Sequence, residues 1–158
     1  MNVLEFAINM EKEGEAFYRS QAEKNKATGL NVVFAALAED EKRHAEIITE
    51  FLNSENPLLP ESSISGIPRI FKDLFTNEFK QFPGQIDAYR TALVKEKESI
   101  DLYKSLLDKA NEIREIDVFG YLIEQEELHY TTIEDMIDHI EKADSWVESA
   151  EFGIREDY

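Results

Sequence analysis

The chain contains no cysteine. Disulfides, thiolate chemistry, iron–sulfur clusters and Cys-ligated zinc are therefore all excluded. Nor does any run approach the roughly 20 apolar residues that a membrane span needs. Positive charge is scarce: 17 Lys and Arg stand against 34 Asp and Glu, a formal net charge of −17. Such a surface repels nucleic acid and anionic membrane and draws in cations. Met1 to Met10 alternates apolar residues with Asn2, Glu5 and Asn9 and lacks the basic start and continuous apolar core of a signal peptide, so a cytoplasmic protein is expected. Proline is confined too, since all four (Pro57, Pro60, Pro68 and Pro83) lie between Ser54 and Gly84. The rest of the 158 residues is free to form long helices, within a length that suits one domain with a sizeable core.

What is present is helical periodicity interrupted by acids. Val3, Phe6, Met10, Glu13, Phe17 and Ser20 step by three and four and predict a first helix from Val3 to about Asn25. After a turn at 25–29, a second helix is expected from about Leu30 to Asn53, with Phe34, Leu37, Glu41, His44, Ile48 and Phe51 in one stripe. The proline-bearing stretch 54–84 reads as a long crossover, with a short helix over Ile67–Phe79. A third helix spans about Gln85 to Ala110. A fourth spans about Ile113 to Ala143, with Phe119, Leu122, Glu126, His129, Ile133, Met136 and Ile140 aligned. The remainder, 144–158, carries Trp146, Val147, Phe152 and Ile154, so it is expected to pack on the bundle or on a neighbouring chain.

The two halves repeat. A shift of 85 places Glu11-Lys12-Glu13 on Glu96-Lys97-Glu98, Tyr18 on Tyr103, Leu37 on Leu122, Glu41 on Glu126, His44 on His129 and Ile48 on Ile133. This is a duplicated helical hairpin. Residues three apart on a helix differ by about 60° in direction, so Glu41 and His44 project toward one point, as do Glu126 and His129. An ionised carboxylate inside an apolar seam needs an answering charge, and a metal ion is the first candidate. Glu13 and Glu98 fall in the stripes of the facing helices, each 28 residues before its E-x-x-H. One Glu from each of two helices and an E-x-x-H from each of the other two is the ligand set of a dinuclear carboxylate site in a bundle core.

On these residues, from Val3 to about Ala143, the chain resembles a ferritin-like di-iron carboxylate protein of the rubrerythrin-related group. The resemblance implies an all-α, ferritin-like four-helix bundle over 1–143, built from two repeated hairpins with the crossover 54–84 between helices 2 and 3. It implies two iron ions, with manganese or a mixed pair as the alternative. Glu41 and Glu126 would bridge them, Glu13 and Glu98 would be terminal ligands, and His44 and His129 would cap one metal each. Four carboxylates against two divalent ions leave a neutral site. Rubrerythrins also carry a Glu three residues beyond the helix 3 ligand; counted from Glu98 that position is Asp101, an additional candidate ligand one methylene shorter. They carry a four-cysteine rubredoxin module as well, absent here, so electrons would come from a separate donor protein. Haem-binding relatives place Met directly after the helix 2 Glu; Lys42 stands there, and no haem is expected.

The implied activity is an oxidoreductase that reduces hydrogen peroxide, or dioxygen, at the metal pair. An iron-oxidising, iron-handling protein is the alternative, and a metal-stabilised helical module without turnover is a third reading. No residue beyond the ligands is assigned a catalytic role, and neither nucleic acid nor membrane is an expected partner. The family leads one to expect a homodimer, with which the apolar tail is compatible. Tyr18 and Tyr103 sit about 140° around their helices from Glu13 and Glu98 and are read as packing residues. Tyr121 and Tyr130 flank the second motif and are read as core packing. His139 is read as an ordinary surface histidine.

Overall fold

A computed structural model describes residues 2–26, 29–65 and 85–156, with side chains described through Lys142. Four helices follow one another: α1 (Val3–Lys24), α2 (Leu30–Leu52), α3 (Gln85–Asp108) and α4 (Ile113–Glu156). No strand occurs among the described residues. α1 packs along α2 and α3 along α4, so each half is an antiparallel hairpin and the two hairpins make the bundle. The short helix expected over Ile67–Phe79 lies outside the described residues.

Local chemistry accounts for the helix ends. Asn2 opens α1 with a reciprocal cap: its side chain accepts from the Glu5 N–H at 2.8 Å, and Glu5 accepts from the Asn2 N–H at 3.1 Å. α2 stops where Ser54 takes a positive φ of 61°, which lets the Glu55 N–H reach back to the Glu50 carbonyl at 2.9 Å. Arg114 of α4 stacks its guanidinium 4.3 Å from the Phe51 ring and donates to the Phe51 carbonyl at 2.9 Å, a carbonyl in the last turn of α2 that also accepts from the Ser54 N–H. At the other end of the molecule, Asn25 is buried and its amide closes α1 onto the Gln21 carbonyl at 2.7 Å. Gln85, at the start of α3, donates to the Asn25 side chain at 2.9 Å.

α4 differs from expectation. It runs for 44 residues, through Ala143 and on to Glu156. Between Ala143 and Phe152 there is neither proline nor glycine, so nothing in that stretch ends a helix. Whether those side chains pack on the bundle lies outside the described residues. No described helix is long and apolar enough to cross a membrane.

The core is split in two. One apolar cluster holds Tyr18, Phe34, Leu37, Tyr89, Ile133, Met136 and Ile140 among others. The second holds Ala7, Ile47, Ile48, Tyr103, Val118, Phe119 and Leu122. Along α2 the first cluster ends at Ala38 and the second begins at Ile47; along α4 the second ends at Ile123 and the first resumes at Ile133. The polar residues of both motifs fall in the gap. The first cluster holds α1 to α2 through Tyr18 and Phe34, whose rings stack at 6.3 Å, and α2 to α3 through Phe34 and Tyr89 at 5.3 Å. Leu37 has no exposed surface in this cluster. Leu37→Ala is expected to destabilise the protein by about 2–5 kcal/mol, read as a lowered denaturant midpoint with an unchanged slope.

Candidate metal centre

Six titratable side chains meet in the gap between the apolar clusters. α1 contributes Glu11, α2 Glu41 and His44, α3 Glu96, and α4 Glu126 and His129; each is 4 % exposed or less. Ligand-capable atoms of Glu11, Glu41, His44 and Glu126 lie within 4.8 Å of one another, and so do those of Glu41, Glu96, Glu126 and His129. Glu41 and Glu126 belong to both groups. The imidazoles face the acids through Nδ1: that of His44 is 3.0 Å from Glu126 and 3.4 Å from Glu11. His129 Nδ1 is 3.0 Å from Glu41, 3.5 Å from Glu126 and 3.6 Å from Glu96. The two rings stack at 5.5 Å.

Two of these six, Glu11 and Glu96, differ from those expected. Glu13, Glu98 and Asp101 stay out of the cluster. All three are exposed, and Asp101 pairs with Lys97 at 2.9 Å. The inward acids are Glu11 and Glu96, two residues earlier. The apolar stripe through Val3 and Phe6 misleads, because those side chains are 46 % and 50 % exposed. The face of α1 that turns inward reads Ala7, Glu11, Tyr18 and Gln21, and that of α3 reads Tyr89, Ala92, Glu96, Ile100 and Tyr103. The offset shared by Glu13 and Glu98 does not choose between acids, because Glu11 and Glu96 also stand 85 apart. With Glu96 as the inward acid, the third residue on is Ser99 rather than Asp101.

Moving the register two residues also gives the tyrosines a role beyond packing. Tyr18 of α1 donates its hydroxyl to Glu96 of α3, and Tyr103 of α3 donates to Glu11 of α1. Each half thus orients the other half's acid. Tyr121 sets its ring edge-on to His44 at 6.3 Å, and His139 is exposed, as expected of a surface histidine.

Asp40 carries no signal in the apolar pattern, yet it is buried beside the site. It takes the Nε2 side of His129 at 2.9 Å, which leaves Nδ1 toward the acids, and it is itself fixed by the Ser62 hydroxyl and by the Ser63 N–H at 2.8 Å. Its duplicate in the second half is Gln125, whose buried Oε1 has no hydrogen-bond partner.

Burial and mutual repulsion set the protonation of the cluster. Burial pushes the Glu41 and Glu126 carboxyls well above the ordinary carboxylate range, and the neighbouring Glu charges add to it. Burial works the same way on Glu11, but a hydrogen bond from the Glu41 carboxyl and the His44 imidazolium outweigh it and bring Glu11 down to about 2. Glu96 is lowered likewise, by the Glu126 carboxyl and the His129 charge acting against burial. Burial lowers the imidazoles, but the surrounding carboxylates reverse it: His44 rises to about 10 and His129 well above its ordinary value. Without metal at neutral pH, protons held on Glu41, Glu126, His44 and His129 offset the charge of Glu11 and Glu96. Four carboxylates, two neutral imidazoles and two divalent cations sum to no net charge. One oxygen of each of Glu11, Glu96 and Glu126 is buried with no hydrogen-bond partner, and a bound cation would answer it. The donor set fits a pair of divalent metal ions.

Two outcomes follow from this geometry. Glu11→Gln with Glu96→Gln is expected to lower bound divalent metal, measured by elemental analysis, well below that of the parent, whereas Glu13→Gln with Glu98→Gln leaves it unchanged. Metal binding also has to displace the protons on Glu41, Glu126, His44 and His129, all held above their ordinary pKa values. Affinity is therefore expected to fall as pH falls from 8 toward 5.5, and calorimetry in buffers of different ionisation enthalpy should record proton release on binding.

Comparison with known proteins agrees with the site. The family model described as Rubrerythrin matches residues 2–137. No curated protein and no solved structure matches the chain. With a match over most of its length and a buried carboxylate and histidine cluster that fits a di-iron centre, the chain belongs to the rubrerythrin family.

Proposed function

We propose that the chain is an oxidoreductase whose iron pair, held by Glu11, Glu41, His44, Glu96, Glu126 and His129, reduces hydrogen peroxide in preference to dioxygen. The observation that carries this reading is the pair of overlapping ligand groups that share Glu41 and Glu126. Glu41 and Glu126, common to both groups, would hold the pair together with Glu11 and His44 of one group and Glu96 and His129 of the other. Imidazole with carboxylate suits iron or manganese, and the affinity order alone does not choose between them. When bound, such a pair supplies the two electrons that cleave an O–O bond.

The chain's own residues supply the setting. Tyr18 and Tyr103 keep Glu96 and Glu11 turned inward, and Asp40 holds the His129 ring by its far nitrogen. Phe34, Leu37 and Leu122 belong to the apolar clusters that flank the site and keep bulk water from both ends of it. The sequence has no cysteine to hold an iron–sulfur or rubredoxin-type relay, which supports electron return by a separate donor protein.

The test loads the protein with Fe(II) under anaerobic conditions and then mixes it with hydrogen peroxide or with dissolved oxygen. About two iron ions per chain are expected, with one peroxide consumed for two Fe(II) oxidised and a slower reaction with oxygen. Oxidation that continues past the bound pair, with growing light scatter, would replace this reading by iron handling. Bound iron that neither oxidant changes would leave a structural metal module.

A further inference from the structure

The surroundings of the cluster are unequal. On the α2 and α4 side, the first part of the crossover closes over it: Ser62 and Ser63 bind Asp40, Tyr121 donates to the Pro60 carbonyl, and Ile64 is buried in the core. On the α1 and α3 side there is a cavity of about 70 Å³. Its inner wall includes Tyr18, Glu41 and Glu96, all buried, and its outer wall includes the exposed Glu13, Lys95 and Glu98. A space lined by both sets runs from solvent to the acids. Small residues keep it open. Gly14 and Ser99, duplicates of one another, line it, and a Cβ on Gly14 would come within 2.8 Å of a Glu41 oxygen.

We infer that this cavity between α1 and α3 is the port through which a divalent cation reaches the buried carboxylates, with Glu13 and Glu98 at its mouth. The inference rests on the metal-binding reading of the cluster. One observation carries it independently of the acidic mouth. Glu96 is 4 % exposed and lines the cavity; one of its oxygens accepts from Tyr18, and the other has no hydrogen-bond partner. Lys95 is at the rim too, 5.7 Å from the centre of the Phe17 ring. An incoming cation thus meets two exposed carboxylates and then a buried one with an oxygen free to bind it, a sequence of sites of the same sign that steers and retains positive charge. The acids first expected as ligands have a kinetic role instead.

Stopped-flow uptake of Co(II) by the metal-free full-length chain, followed by its visible absorption, separates the possibilities. In Glu13→Lys with Glu98→Lys, both exposed positions, uptake is expected to slow by about tenfold at low ionic strength while the final absorbance stays that of the parent. The gap should close as salt shortens the Debye length from about 10 Å at 0.1 M to about 3 Å at 1 M. Ser99→Phe, which fills the cavity, should slow uptake at every salt concentration. Parental rates in the charge-reversal variant at low salt overturn the port, whatever Ser99→Phe does to stability. Should the parent show no Co(II) absorption that Glu11→Gln with Glu96→Gln removes, the metal-binding reading fails first and the port falls with it.

Discussion

Four carboxylates withdrawn from water at the centre of a small bundle are the constraint to which the rest of the structure answers. An isolated ionised carboxylate in such a place costs several kcal/mol and would simply protonate. Here the acids are grouped, and two kinds of positive partner can answer them. Protons held on Glu41, Glu126 and the two imidazoles offset the charge of Glu11 and Glu96, and two divalent ions would do the same in their place. The phenols of Tyr18 and Tyr103 serve both states, each giving one oxygen of Glu96 or Glu11 a fixed donor.

The duplication explains the symmetry of the site, and the single crossover explains where that symmetry fails. Ala7 and Ala92, Glu11 and Glu96, Tyr18 and Tyr103, Glu41 and Glu126, His44 and His129 are equivalent pairs in both sequence and position. A chain of two hairpins needs one connection between them and has no second. The first part of that connection, through Ser65, lies on the α2 and α4 side, and Asp40, which binds Ser62 and Ser63 there, has no acidic twin. His129 is consequently held from behind by a carboxylate, whereas the residue in the matching position for His44 is Gln125 with an unpaired oxygen. Two ligand groups made from the same residue types, Glu and His, thus sit in different surroundings, and the more firmly positioned imidazole is that of the second half.

The legible part of the site lay on the helices with the strongest apolar seams. In α2 and α4 the ligands are flanked by Phe34, Leu37, Ile48, Leu122, Ile133 and Met136, so the inward face was unambiguous and Glu41, His44, Glu126 and His129 fell on it. In α1 the inward face is made of Ala7, Glu11, Gly14, Tyr18 and Gln21, small or polar residues that a count of large apolar side chains passes over. Val3 and Phe6 lie instead at half-exposed positions. Internal repetition could not repair the choice, because any error made in one half is copied faithfully into the other. What would have marked the register is Tyr18 with Tyr103: a buried phenol needs an acceptor, and only the acids at 11 and 96 lie where the opposite phenol can reach them. The four-helix order and the crossover were readable from the placement of proline. The continuation of α4 past Ala143 was not, because the aromatic residues there read as a packing tail although nothing before Gly153 stops a helix.

The two-residue shift also changes what surrounds the metals chemically. A fifth carboxylate three residues beyond the α3 ligand would sit where Ser99 lines the cavity, and Asp101 is turned to solvent with Lys97. Four carboxylates balance two divalent ions. A further buried acid, Asp40, is engaged with His129, Ser62 and Ser63 on the α2 and α4 side. The cavity beside the cluster lies on the opposite side, lined by Gly14 and Ser99. A glycine and a serine in those two positions, where larger or acidic side chains would close the space or fill it with charge, make the openness of that face as much a property of the site as its six ligands.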